Sequence, residues 1–183
     1  MKRLVLIIAL LAVAIAAQAQ NLEFCQKGTS GGYAVKTKDI SYTAKTMLAN
    51  ESMAAAHRFS FFVSDTPTYR GGLFMLTILH PGDWHVKKGE VVAIMFNDGT
   101  KHNTVTGEAL SEPYAGFYRT ILKLPLQPGE LIKFTHLDAF ATTTSNGEVL
   151  TVILDEKARE KIASAYLEAY DGLVAIGWSG LAL

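Results

Sequence analysis

The chain has 183 residues, with 17 Lys and Arg against 17 Asp and Glu and a single cysteine, Cys25. Balanced charge with no basic run removes the electrostatic term on which binding to nucleic acid or an anionic membrane depends. One cysteine excludes both an intramolecular disulfide and a Cys-rich zinc site, and the length suits one domain with a sizeable core.

Met1–Ala19 opens on Lys2-Arg3, continues as the apolar run Leu4–Ala17 and closes on Ala17-Gln18-Ala19. A basic start, a short apolar stretch and a small-x-small ending are the pattern of a cleaved signal peptide. The run is shorter than the ~20 residues a spanning helix needs, so no membrane span is expected after cleavage. Leu22-Glu23-Phe24 offers no small residue immediately before Cys25, which argues against a lipid anchor there. The expected address is periplasmic or secreted. Without Lys2 and Arg3 the chain keeps 15 basic against 17 acidic residues, a formal charge of −2.

Residues 20–32, with Gly28, Ser30, Gly31 and Gly32, read as a flexible entry segment ahead of a single β-rich domain at 33–183. Tyr33–Thr37 alternates and predicts a strand, whereas Tyr42–Ala56 shows near-helical spacing of Ala44, Met47, Leu48 and Ala55 and reads as a short helix or irregular crossover. Asn50-Glu51-Ser52 matches a glycosylation sequon of little weight. Phe59–Val63 predicts a strand. Leu73–Leu79 and Val91–Phe96 are apolar, β-prone runs separated by Pro81-Gly82-Asp83 and Lys88-Gly89 and closed by Asn97-Asp98-Gly99, which together read as central antiparallel strands with tight turns. Asn103–Thr106 is a weak strand, Ser111-Glu112-Pro113 a loop, and Gly116–Leu126 a long strand stopped by Pro125 and Pro128-Gly129. Leu131–His136 and Ala139–Thr144 read as strands, with Asn146-Gly147 as a two-residue apex leading into Val149–Leu154.

Asp155–Tyr170 predicts a helix: Asp155 is positioned to cap it, and Ala158, Ile162, Ala165, Tyr166 and Ala169 fall on one stripe that should face a sheet. Gly172 reads as its left-handed stop and Leu173–Trp178 as a last buried strand. The fold class expected is mainly β, an antiparallel β-sandwich with one α-helix in the C-terminal half packed against it.

Chemistry is sparse. His80-Pro81-Gly82-Asp83-Trp84-His85 places two imidazoles and a carboxylate around a turn, and with His102 or His136 supplying a further ligand it is the one candidate metal site. A small metal-dependent or hydrolytic enzyme centred on His80, Asp83 and His85 is therefore the alternative reading, against that of a solvent-facing loop. No G-x-S-x-G or HExxH pattern is present, Ser179 is a strand-end hydroxyl, and Asp65, Asp83, Asp98 and Asp138 fall at turns where aspartate serves the backbone. Tyr69, Trp84, Tyr114, Phe117 and Tyr118 lie in or beside predicted loops and are the candidate anchors for a protein or glycan partner on a loop rim or sheet edge. No cofactor is expected, and the oligomeric state is not readable.

The order of turn, Lys88-Gly89, apolar strand and Asn97-Asp98-Gly99 across His80–Asp98, with the ending VAIGWSGLAL at Val174–Leu183, resembles the invasion-associated locus B family of exported bacterial β-proteins. The resemblance covers roughly Phe59–Leu183. It implies a periplasmic or surface β-sandwich associated with host-cell interaction and without established catalytic residues. The paired cysteines usual around that family's middle strands have no counterpart here, and no functional residue is carried over. The reading is of an exported, non-enzymatic binding or envelope-associated protein.

Export is expected to remove Met1–Ala19 and leave Gln20 as the first residue. Intact-mass measurement of exported protein checks this, and a mass that retains Lys2 and Arg3 overturns it.

Overall fold

The computed structural model describes residues 21–29, 31–127 and 130–179. The expected leader at 1–19, Gln20, Ser30, the expected stop at Pro128-Gly129 and residues 180–183 lie outside the described residues. Strands β1 (Leu22–Lys27), β2 (Tyr33–Thr37), β3 (Ile40–Tyr42), β6 (Ala56–Asp65), β7 (Arg70–His80), β10 (Glu108–Tyr114) and β11 (Phe117–Leu126) form one sheet, in the order β1-β2-β6-β7-β11-β10 with β3 also on β6. Strands β4 (Ala44–Leu48), β5 (Glu51–Met53), β8 (Val91–Phe96), β9 (Lys101–Val105), β12 (Leu137–Thr143) and β13 (Val149–Leu154) form the second, in the order β5-β4-β13-β12-β8-β9. Every pairing is antiparallel. The expected β-sandwich is the architecture found.

From β4 onward the chain lays down strands in pairs and changes sheet after each pair. That explains the main departure from the sequence reading. The runs Leu73–Leu79 and Val91–Phe96 are both strands, yet they lie in opposite sheets, and residues 81–90 cross from one to the other instead of closing a hairpin. The crossing segment is tied down at His85, whose carbonyl accepts from Ser145 N (2.6 Å) and whose N–H donates to Ser145 Oγ (3.2 Å).

Other expectations are corrected by local geometry. Residues 42–56 hold strands rather than a helix, because Ala49 (φ 49°) and Asn50 (φ 68°) are both left-handed and turn β4 back on β5 with Leu48 opposite Glu51. Ser111–Pro113 is part of β10, tolerated because this is an edge strand whose outer N–H groups bond to no neighbour. Pro125 does not stop β11 but pairs with Leu73, beyond the point where β10 flanks the strand. Leu131–Phe134 is one turn of helix, α1, that drops Phe134 into the core at 2 % exposure. The β12–β13 apex has three residues, 145–147, closed by Thr144 N to Glu148 O (2.9 Å) with Gly147 at φ 82°. The entry segment contains β1, paired with β2 along its length.

Helix α2 runs Glu156–Ala175 and is capped by Asp155, whose carboxylate accepts from Ala158 N. Its buried side is Ala158, Ile162, Ala165, Tyr166, Ala169 and Leu173, continuing the stripe read from the sequence. The helix passes straight through Gly172. A Cβ there would lie 3.1 Å from Cys25 Sγ, so this glycine serves close packing on β1. The stop is Gly177 (φ 90°), with Trp178 N bonding Leu173 O (2.9 Å) and Gly177 N bonding Val174 O (2.9 Å), a Schellman ending. The expected last strand is therefore the end of the helix, and Trp178 folds back to donate Nε1 to Asp65 Oδ2 (2.9 Å).

Two substitutions test this packing. Ile162→Asp places a carboxylate at a site 1 % exposed and is expected to lower stability by about 2–4 kcal/mol. In Gly72→Ala the new methyl would meet Phe62 O at 2.0 Å, which forces β6 and β7 apart at a loss of about 3 kcal/mol or more. Urea midpoints equal to that of Glu160→Gln, an exposed change on the same helix, would show the packing to be otherwise.

Candidate functional site

The residues singled out for metal do not converge. His80 is wholly buried: its ring stacks on Trp84 (3.5 Å between centroids, 11° between planes) and its Nε2 bonds Thr120 Oγ1 at 2.9 Å. Asp83 and His85 are exposed on the crossing segment. His102 on β9 is exposed and stands 3.8 Å from Glu130 Oε1, while His136 is exposed near Asp98. Among the described residues no three His, Cys, Asp or Glu side chains are grouped to hold a metal ion. The expectation that His80, Asp83 and His85 share a turn mouth is thus corrected. β7 alternates, so His80 follows Ile78 onto the inner face, whereas His85 lies on the crossing segment beyond the strand's end.

The closest approach to catalytic geometry is one the sequence did not signal. His57, 2 % exposed on β6, bonds across the sandwich to Thr46 Oγ1 on β4 (Nε2···Oγ1 2.6 Å), with the Tyr42 ring 5.2 Å away. Together with His80–Thr120 this makes two hydroxyl–imidazole pairs, each half of a hydrolytic triad. Neither goes further. The Nδ1 atoms of His57 and His80 have no orienting carboxylate, and Thr46 and Thr120 are 1 % and 0 % exposed, closed to any substrate. They are core hydrogen bonds that join strands.

The candidate aromatics separate into three groups. Trp84 is 3 % exposed and belongs to the core under His80, correcting its reading as an anchor. Tyr69 is 54 % exposed in the β6–β7 turn, where its N–H bonds Thr66 Oγ1. It stands at the other end of β7 from the remaining three, roughly 30 Å away at the rise of a strand. Tyr114 and Phe117 face each other across the two-residue turn Ala115 (φ 50°)–Gly116 (φ 83°), 46 % and 53 % exposed. Tyr118 is half-buried beside His80, 6.3 Å from its ring.

Alternation places Tyr114 and Phe117 on the outer face of the larger sheet, with Arg119, Ile121, Met75, Leu79 and Arg58 on the same side. This face carries a cavity of about 380 Å³. Its lining is mixed: Met75, Leu79 and Ile121 alternate with Ser60 and Thr77, and Asp39, Arg58, Arg119 and Tyr114 also line it. Arg119 is oriented by an ion pair with Glu112 and lies over the Tyr114 ring, 5.0 Å from its centroid. Arg58 and Arg119 were missed in the sequence because only strand register brings β6 and β11 side chains, 61 positions apart, to one face. No family model, curated protein or solved structure matches the chain.

Burial lowers the pKa of His57 to about 4 and that of His80 to about 4, the Gly82 backbone opposing the second shift. His80 is as inaccessible to water as His57 but less deeply surrounded. Both rings are neutral in the folded state, whereas an unfolded chain takes up protons near pH 6.5. Stability is therefore complete above pH 6.5 and falls as pH drops from 6.5 towards 4, by up to about 3 kcal/mol for each imidazole. The lowered carboxyls of Asp65, Asp98 and Asp155 act later, below their ordinary value of 3.8. Urea unfolding at pH 7.5, 5.5 and 4.5 should show this slope, and His80→Gln, which retains a partner for Thr120, should flatten it; a flat wild-type profile would contradict the buried neutral rings.

Proposed function

We propose that this is an exported, non-enzymatic binding or envelope-associated protein that takes a protein or glycan partner at the β10–β11 tip and the adjoining outer face of the larger sheet. The observation that carries the reading is the exposed pair Tyr114 and Phe117. Two aromatic side chains left about half in water stand opposite each other on a two-residue turn, next to a concave surface of mixed apolar and polar lining that includes two guanidinium groups. Aromatic and arginine side chains so placed are common energetic anchors of recognition: the aromatics bring large area with few rotors to freeze, and arginine a planar fork of donors. An aromatic face also suits the apolar side of a sugar ring, and arginine its charged or hydroxylated side.

The resemblance to the invasion-associated locus B family supports a host- or envelope-facing role, as does the leader pattern of residues 1–19. The buried state of His80 and the scatter of Asp83, His85, His102 and His136 favour binding over the metal-dependent alternative.

The test is co-sedimentation with isolated cell envelopes, and a glycan array, for the wild type and for Tyr114→Ser/Phe117→Ser. The double variant is expected to bind at least tenfold more weakly with a melting temperature within a few degrees of wild type, since both side chains are outside the core. Retention of full binding by the variant, or no binding by the wild type to either, would overturn the proposal.

A further inference from the structure

The two sheets carry their charge unequally. On the outer face of the larger sheet Arg58, Arg119 and Lys123 stand with Glu108 and Glu112. The strands of the smaller sheet hold two carboxylates, and neither belongs to the outer rows. Asp138 sits at the β12 bulge, paired with Arg159 of α2, and Glu51 lies opposite Leu48 on the alternation that leads inward. The outward charges are Lys45 on β4, opposite Ile153, and Lys101 on β9, opposite Met95. The three strands between them, β13, β12 and β8, turn no charge outward. A centre depleted of charge inside a polar margin is the composition of an interface core and its rim.

The same rows have relief. β13 turns Val149 and Ile153 outward, both exposed, and β8 turns out Val91 and Met95. Between them β12 offers only Ala139, Ala141 and Thr143. Ala139 is 4 % exposed although it lies outside the core cluster, because its cross-strand partners Ile153 and Met95 rise on either side of it. β12 is thus the bottom of a furrow, and β13 is the ridge beside it. They are the third and fourth strands of six, so the midline of the sheet runs between ridge and furrow.

We infer that this face is the interface of a homodimer, whose two-fold axis runs parallel to the strands between β13 and β12. Such an axis lays the β13 ridge of each copy in the β12 furrow of the other, with Val149 over Thr143 and Ile153 over Ala139, in the manner of two sheets packed face to face. Lys45 then falls over β8 of the other copy and Lys101 over its β5, so no lysine meets a lysine. Six strands ~4.8 Å apart and five residues at ~3.3 Å make a face of about 29 by 17 Å, so two copies would bury at least about 1,000 Å² together, enough for a specific reversible dimer and too little for an obligate one. The chain's formal net charge is zero, so two copies do not repel at neutral pH. A bilayer fits less well, since the face lacks the Trp and Tyr side chains that settle at a membrane boundary. A different protein would need to reproduce the furrow and ridge that a second copy already presents. The face lies on the other sheet from the Tyr114–Phe117 tip, so the inference stands apart from the function proposed above.

Sedimentation equilibrium of the exported protein across micromolar concentrations is the test, and a reversible monomer–dimer equilibrium is expected. Val149→Glu changes a side chain 53 % exposed in the single copy, so it should keep the wild-type melting temperature. It should weaken the dimer about tenfold or more, because the carboxylate would be buried against Thr143 of the other copy. An equimolar mixture of Val149→Glu with Thr143→Lys should recover the association as a heterodimer, since this register brings the two new charges together between copies. Leu167→Lys, an exposed change on α2, should leave the equilibrium unaltered. A wild type that stays monomeric, a dimer that Val149→Glu does not weaken or that Leu167→Lys disperses, or a mixture that fails to recover, would overturn the inference.

Discussion

The fold depends on one ring. Tyr166 is completely buried on α2 and lies flat on Phe61 of β6, with centroids 4.1 Å apart and planes 5° from parallel. Around it stand Phe74 of β7, at 6.3 Å, and Phe134 of α1, at 5.4 Å; Phe134 in turn meets Phe96 of β8 edge-on at 6.0 Å. One aromatic cluster thus joins the long helix, the short helix and both sheets. Such rings bury large apolar areas and add a preference for particular geometries. The second sheet has six strands against seven, and α2 covers the inner face of β1 and β2 that it leaves open and reaches Phe61 of β6 through Tyr166, which is why Val35 and Phe61 are fully excluded from water.

That arrangement sets where recognition is available. The inner faces are filled by side chains, and the two buried imidazoles are used up in bonds to threonine. Accessible chemistry is left to the outer faces of the two sheets, to the hairpin tips and to the β1 edge. Large exposed apolar side chains occur in each of these places: Tyr114 and Phe117 at a tip, Leu110 on the outer face of the larger sheet, Val149 and Ile153 on that of the smaller, and Leu167 beside the edge. Isolated exposed apolar residues are common on any protein. Here two of them are paired across a turn and two form a ridge along one strand, which makes position, not count, the reason for singling them out.

Much of this was readable from the sequence where local chemistry decides the outcome. The apolar stripe of α2, its aspartate cap, and the strands around Phe61, Leu76, Val92 and Val152 follow from periodicity and side-chain type. The errors share a cause, since each concerned which of two locally acceptable outcomes tertiary packing would select. Gly172 suits a helix stop, but close approach to Cys25 keeps it inside the helix. Leu131–Phe134 is apolar enough for a strand, but the core needed Phe134 delivered from a single helical turn. Pro81-Gly82 suits a hairpin turn, yet the chain uses the segment to change sheets. The site was harder to read than the fold. Histidine type suggested a metal, while exposure and register, which no single stretch of sequence carries, removed His80 from solvent and put Arg58 on the same face as Arg119, with β7 between them.

The side chain of Glu168 holds Asn21 by its backbone N–H (3.1 Å) and by its amide Nδ2 (2.9 Å), a contact spanning 147 positions. Tyr33 likewise donates to the carbonyl of Gly177 (2.8 Å), and Asp65 receives the indole of Trp178. The first strands to be synthesised are thus finished only by the last helix. Contacts of such long sequence separation form late, because the loop must close before they return any energy. A nascent chain lacking its final segment has an open inner face on β1 and β2 and nothing to cover it.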